Sequence, residues 1–255
     1  MWKLLFQSVR GTAHERGGLP CQDNCLARLR PTVSGPVLVL ACSDGAGSAS
    51  QSHWGSRHAC EAAVRLVSAD LAEGLTLRAI DRDTAVSWLK RVRHELSELA
   101  ESKQIPVRDL ACTLLLAVVG ESSAAFAQLG DGAIVIWRDS EYHPIFWPQN
   151  GEYANTTNFI TDYSTDDLLA FETMTERVDE LALFSDGLQM LALSYADRTA
   201  FRPFFRPLFR PLRASRGSDG LALALKQFLN SPMMNDRSDD DKTLMLATRR
   251  NADDP

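Results

Sequence analysis

Three aspartates share one setting. Asp44, Asp131 and Asp186 each end an apolar run, and each is followed by glycine. Asp23 precedes a short apolar segment, and Asp240 precedes the last one. A strand end is a rigid mount for a ligand, and glycine lets the backbone turn close to it. Carboxylates converging from separate strands repel one another unless a cation lies between them. An all-oxygen donor set favours hard ions, Mg²⁺ or Mn²⁺. Asp-Gly is also an ordinary turn dipeptide, and any one of these positions alone is explained that way. Its recurrence after several apolar runs points instead to a divalent-metal site. Spacing alone leaves the reaction open between phosphate-ester hydrolysis and nucleic-acid cleavage.

The elements that must carry these aspartates follow from periodicity. Trp2–Val9 and residues 24–29 alternate in part, and residues 36–42 are continuously apolar up to Asp44-Gly45, so all three read as strands. Ala59, Ala62, Ala63, Leu66 and Val67 repeat at helical spacing, as do Val86, Leu89, Val92, Leu96 and Leu99. Asp81 or Asp83 caps the second helix. Residues 112–119, 124–129 and 133–137 are strands separated by glycine turns and read as an antiparallel meander. Residues 181–184 form a strand ending at Ser185-Asp186-Gly187, a helix runs over about 219–229, and 243–248 is the last strand. Strands, helices, strands, helix, strand is not a repeating βαβ order, which excludes a doubly wound parallel sheet and predicts a layered α+β architecture. No glycine-rich linker divides the chain, so residues 1–250 are read as one domain and 251–255 as a frayed tail.

Composition sets the outer limits. With 45% hydrophobic and 24% charged residues, the 255-residue chain is globular rather than disordered. A formal net charge of −6 argues against a general nucleic-acid binder. The longest apolar stretch, residues 111–119, is too short to span a bilayer, and the N-terminus lacks a signal-peptide pattern, so a cytoplasmic protein with no membrane partner is expected. Five cysteines do not make a disulfide framework, and no second Cys/His pair completes a zinc site with Cys21 and Cys25.

The segment from Val39 to Ser48, with Asp44-Gly45-Ala46-Gly47, resembles the first aspartate motif of the metal-dependent, type 2C Ser/Thr protein phosphatases. Ala111-Cys-Thr113, Gln128-Leu-Gly130-Asp131-Gly132, Leu183-Phe-Ser185-Asp186-Gly187-Leu188 and Asp240-Asp241-Lys-Thr243 resemble four further motifs of that family, in the same order. Leu19-Pro-Cys-Gln-Asp23 and Gly151-Glu-Tyr-Ala-Asn155 are similar to its bacterial stand-alone subgroup. The resemblance implies a four-layer α-β-β-α sandwich of two antiparallel sheets flanked by helices. It implies hydrolysis of phosphoserine and phosphothreonine in proteins by a hydroxide that two ions, Mn²⁺ or Mg²⁺, activate. By motif, Asp44 bridges the two ions and acts in catalysis, the carbonyl of Gly45 binds one, and Asp186 and Asp240 hold the first. Asp23 approaches the second ion, and Asp131 matches a ligand of a weaker third.

Departures from the pattern are visible. Gln22 stands where many members have Glu, Met190 replaces an aspartate of the third-ion set, and Ala46 replaces a histidine that some members use as an acid. The family's phosphate-gripping arginine falls at Gly18; Arg16 and His14 are the candidates to replace it, and the segment Gly11-Thr-Ala-His14 favours His14. Residues 150–180 correspond to a flap beside the site, with Tyr153 and Asn155 either substrate contacts or ordinary loop packing. His53 or His58 is a second candidate for protonating a leaving alkoxide, against an ordinary surface role. The implied partners are phosphorylated proteins, an antagonist Ser/Thr kinase and a von Willebrand A-type protein, and not nucleic acid. The rival reading is a catalytically weak pseudo-phosphatase that binds phosphoproteins, motivated by Gln22, Gly18 and Met190. One segment stays outside the resemblance: Phe-Arg-Pro begins at 201, 205 and 209, with Arg213 and Arg216 following. Its prolines predict a wrapping loop, with phenylalanines packed inward and arginines facing water or an acidic partner.

Overall fold

The apolar runs become the buried strands of two five-stranded antiparallel sheets in a computed structural model, which describes residues 1–149, 157–162, 165–215, 219–252 and 254. Along the chain come β1 (Lys3–Val9), α1 (Thr12–Gly17), β2 (Asn24–Thr32), β3 (Gly35–Ser43), α2 (Ser52–Ala72), α3 (Arg82–Lys103), β4 (Leu114–Val119), β5 (Ala124–Leu129), β6 (Ala133–Arg138) and β7 (Glu141–Pro144). There follow β8 (Ala170–Met174), β9 (Glu180–Phe184), α4 (Gln189–Ala192), β10 (Leu193–Ser194), β11 (Thr199–Ala200), α5 (Arg202–Ala214), α6 (Asp219–Leu229), α7 (Pro232–Asn235) and β12 (Lys242–Thr248). The class is α+β, as the element order predicts, with two antiparallel sheets flanked by helices, as the family resemblance implies.

The chain folds as two compact units. One comprises Gln22–Gly132 and Pro148–Arg177. Its sheet has the order β2-β3-β4-β5-β8, and α2 and α3 pack on it. Every residue of β4 and β5 is buried, which is why neither strand alternates: β4 is continuously apolar, and β5 is interrupted only by Gln128. Val39 and Ala41 of β3, Leu116 and Val118 of β4, Ala63 and Val67 of α2 and Leu89 and Leu96 of α3 lie in one core. Asp81 starts α3: its carboxylate accepts a hydrogen bond from the Thr84 amide. Asp70 of α2 ties the two helices, accepting from Trp88 Nε1 at 2.7 Å and from Arg91.

The other unit comprises Met1–Cys21, Ala133–Trp147 and Val178–Pro255. Its sheet runs β1-β12-β9-β6-β7. The expected meander therefore stops at Gly130-Asp131-Gly132: β6 pairs with β7 and β9, not with β5. Turn residues mark where a strand ends but not which neighbour the next strand takes.

The Phe-Arg-Pro segment corrects a second expectation. It is the helix α5, with Pro203 in its first turn and Pro207 and Pro211 inside. Pro203 costs nothing there, because the first turn has no intrahelical acceptor for its N–H. The two inner prolines are four residues apart, so their missing N–H groups and clashes fall on one stripe. The opposite face buries Phe205, Phe209 and Leu212 against the sheet, and Phe204 is buried beside the proline stripe. Each phenylalanine contributes about 2–3 kcal/mol on burial, enough to offset a defect of about 3 kcal/mol per inner proline.

Candidate active site

In the unit that carries β3 and β5, Thr113 organises the end of the sheet. Its hydroxyl accepts from the Asp44 amide at 2.9 Å, and its own amide donates to the Asp44 carbonyl at 2.8 Å. Ser43 Oγ donates to the Thr113 carbonyl, and Gly45 bridges to Cys112. Asp44 is thus held on both sides of its backbone, with its half-buried carboxylate projecting beyond β3. Gly45 has no room for a side chain: a Cβ there would lie 2.7 Å from the Gln22 carbonyl and 2.8 Å from Ser52 Cβ. That close approach seats Gln22 and Asp23, both buried, against the Asp44 turn.

Asp131 is fixed just as tightly. Gly130 has φ +109°, and a Cβ on it would strike Thr113 Cγ2 at 2.5 Å. Gln128 Nε2 donates to the carbonyls of Gly130 and Gly132 on either side of Asp131. The Gly130 amide donates to Gln149 Oε1, and Thr157 donates to Asp131 Oδ2 at 2.5 Å. The result brings carboxylate oxygens of Asp44 and Asp131 within 4.8 Å of each other. Two anions so close repel, and a divalent cation is the charge that relieves them. The donors are oxygens only, so the pair fits Mn²⁺ or Mg²⁺.

The other unit holds the remaining candidates. Gly187 packs on the Asp241 carbonyl, where a Cβ would lie 2.0 Å from the oxygen, and Ser185 and Thr243 exchange backbone and side-chain hydrogen bonds. These contacts lock the Asp186 turn to the segment 239–243. Asp240 is exposed, and its carboxylate accepts from the Asp241 amide at 2.7 Å. Buried Lys242 donates from Nζ to the carbonyls of Ser238 and Asp240, which sets that loop from beneath. Gly11 rests on the Asp240 backbone, and its amide donates to Asp241 Oδ1 at 2.6 Å. Helix α1 then brings His14 Nδ1 to 2.9 Å from the same oxygen, an ion-pair distance without hydrogen-bond alignment.

Arg16 is highly exposed and pairs with Asp239 at 2.9 Å. Gly18 closes α1 with φ +67°, a conformation that strains an arginine by roughly 1–2 kcal/mol. Met190 is exposed. His58 faces Glu95 of α3 at 3.7 Å; burial and the nearby Lys103 hold the His53 imidazole below its usual range. Tyr153 and Asn155 lie outside the described residues, as do residues 253 and 255 of the expected tail. Among the described residues no helix is long and apolar enough to cross a membrane.

Sequence reasoning missed Thr113, Gln128 and Lys242 as positioning residues. The available signal was a hydroxyl, an amide and an ammonium set among buried apolar residues, where a polar group needs a specific partner.

These two sheets with strand-end carboxylates define an α+β fold built to hold divalent ions. The profile of the protein phosphatase 2C family matches residues 10–230. Serine/threonine-protein phosphatase 3 of Escherichia coli K12 is 38% identical over 250 residues, covering 96% of this chain and 98% of that protein. The chain belongs to the protein phosphatase 2C family. Solved structures share the fold at lower identity. Serine/threonine phosphatase Stp1 of Staphylococcus aureus has a TM-score of 0.65 at 16% identity over 98% of this chain and 96% of its own. The catalytic domain of PstP, solved with two manganese ions, has a TM-score of 0.64 at 16% identity over 97% and 99%. The pseudo-phosphatase reading finds no support in these likenesses.

Proposed function

We infer that this chain is a protein-serine/threonine phosphatase that removes phosphate from protein side chains in a metal-dependent reaction. The observation that carries the reading is the Asp44–Asp131 pair, held rigidly within 4.8 Å in a chain of this family. Two divalent ions, Mn²⁺ or Mg²⁺, would supply charge neutralisation at the phosphoryl group and a water acidified to hydroxide. Asp44, the Gly45 carbonyl, Asp186 and Asp240 are the ligands we assign to those ions. Asp23 approaches the second, and Asp131 belongs to a weaker third. The Thr113 clamp keeps Asp44 in place without a reorganisation cost. His14, whose Nδ1 lies 2.9 Å from Asp241 Oδ1, is the side chain we assign to a phosphoryl oxygen. Arg16, on the same short helix and paired with Asp239, is the second candidate for the incoming phosphate. Tyr153 and Asn155 contact substrate.

The family match runs over segments of both units, which supports treating residues 1–250 as one catalytic domain. Five free cysteines support a cytoplasmic setting. A Ser/Thr kinase as antagonist and a von Willebrand A-type protein as companion rest on the subgroup resemblance.

The test is hydrolysis of p-nitrophenyl phosphate and of a phosphothreonine peptide with Mn²⁺, with Mg²⁺ and with EDTA, alongside Asp44→Asn. Metal-dependent release that Asp44→Asn abolishes is expected. Release in EDTA, or turnover by Asp44→Asn at the wild-type rate, refutes the assignment.

A further inference from the structure

Helices α5 and α6 leave between them an apolar groove of about 520 Å³, lined by α5, α6, α7 and a few neighbouring residues of the same unit. Pro203, Pro207, Pro211 and Leu208 form one wall, Phe228 of α6 stands in the other, and Met233 closes an end. Every lining side chain is apolar. The proline stripe is the defect described above, turned outward: α5 accepted two internal prolines and set them along an open surface.

Charge marks the rim. On a helix of 3.6 residues per turn, Arg206 and Arg210 lie beside the proline stripe, one turn apart. Both are exposed, and among the described residues neither makes an ion pair or hydrogen bond, unlike Arg202 with Glu141 and Arg213 with Glu180. Residues 201–235 carry five arginines and one lysine against a single aspartate, in a chain of net charge −6.

We propose that this groove docks an acidic amphipathic helix of a partner protein, with apolar anchors in the groove and carboxylates one turn apart on Arg206 and Arg210. The lining offers no polar side chain to satisfy an extended backbone, whereas a helix satisfies its own. A fatty acid has one carboxylate for two arginines. No aspartate of the proposed phosphatase centre lines the groove, so docking recruits a protein rather than performing chemistry.

Fluorescence anisotropy with the full chain tests this. The probes are labelled amphipathic helical peptides with one apolar face and a Glu-rich, neutral or Lys-rich polar face. Glu-rich peptides are expected to bind. Arg206→Glu with Arg210→Glu should weaken them at least about tenfold, as should Leu208→Asp, and added salt should weaken them further. Circular dichroism shows whether each variant folds, and p-nitrophenyl phosphate turnover, expected unchanged, reports the catalytic centre independently. The proposal is overturned if no Glu-rich peptide binds, if Lys-rich or neutral peptides bind equally, or if the substitutions leave binding intact. A dimer of the chain that Leu208→Asp dissolves, or myristate displacing the Glu-rich peptides at the groove, assigns it to a second copy or a lipid instead and also overturns it.

Discussion

Replacing Asp44 by asparagine should stabilise the metal-free protein. Carboxylate oxygens of Asp44 and Asp131 lie within 4.8 Å. Two unit charges at that distance repel by about 1 kcal/mol in water and about 3 kcal/mol at an effective dielectric of 20. Both residues are half-buried, which places the relief between those limits. Asparagine matches aspartate in shape and leaves the Thr113 contacts to the residue 44 backbone untouched. In EDTA, Asp44→Asn is therefore expected to gain about 1–3 kcal/mol, a rise of roughly 2–10 °C in Tm for a chain of this size. Saturating Mn²⁺ should reverse the order. The wild type gains about 2.7 kcal/mol at a hundredfold excess over Kd, while the variant, short of a central anionic ligand, gains less. Thermal unfolding in EDTA and in Mn²⁺, at low and high salt, measures all of this. Added salt should narrow the gap in EDTA. A variant less stable than wild type in EDTA, or equal metal-induced shifts in the two proteins, would refute the reasoning.

Glu180 is fully buried and accepts from Tyr142 at 2.7 Å, from Arg213 Nε at 2.8 Å and from Thr248 at 2.8 Å, with Arg250 also near. Glu180→Gln strands two largely buried guanidinium groups and should cost about 3–5 kcal/mol in urea unfolding. Gly130→Ala puts a methyl group 2.5 Å from Thr113 Cγ2 at φ +109°; a stability loss of at least about 2 kcal/mol and weakened Mn²⁺ binding by calorimetry are expected. Burial pushes the Cys42 and Cys60 thiols well up and that of Cys112 up to about 12. At pH 8 only Cys21 and Cys25 should react with an aromatic disulfide reagent, and the other three only after unfolding.

The aspartates were legible because their environment repeats: a buried strand stops, a carboxylate follows, and a glycine turns the chain. That signal is local, and so are the caps and helical stripes that placed α2, α3 and α6. What was not legible depends on partners distant in sequence. Thr113 lies 69 residues from the Asp44 amide that it accepts from, and nothing in Ala111-Cys-Thr113 announces which backbone its hydroxyl will meet. The turn at Gly130-Asp131-Gly132 was visible, yet the strand after it joined the other sheet, because pairing is chosen by burial across the whole unit. The α5 error has a different cause. A proline rule applied residue by residue counts each ring as a break. It omits that three rings spaced by four share one stripe, and that the opposite stripe buries two phenylalanines and a leucine. Local propensity lost to tertiary packing by a few kcal/mol, and the same balance set an apolar stripe on an exposed wall. A helix formed against its own propensity thus records two demands at once: the core needed the phenylalanines, and the surface kept the prolines.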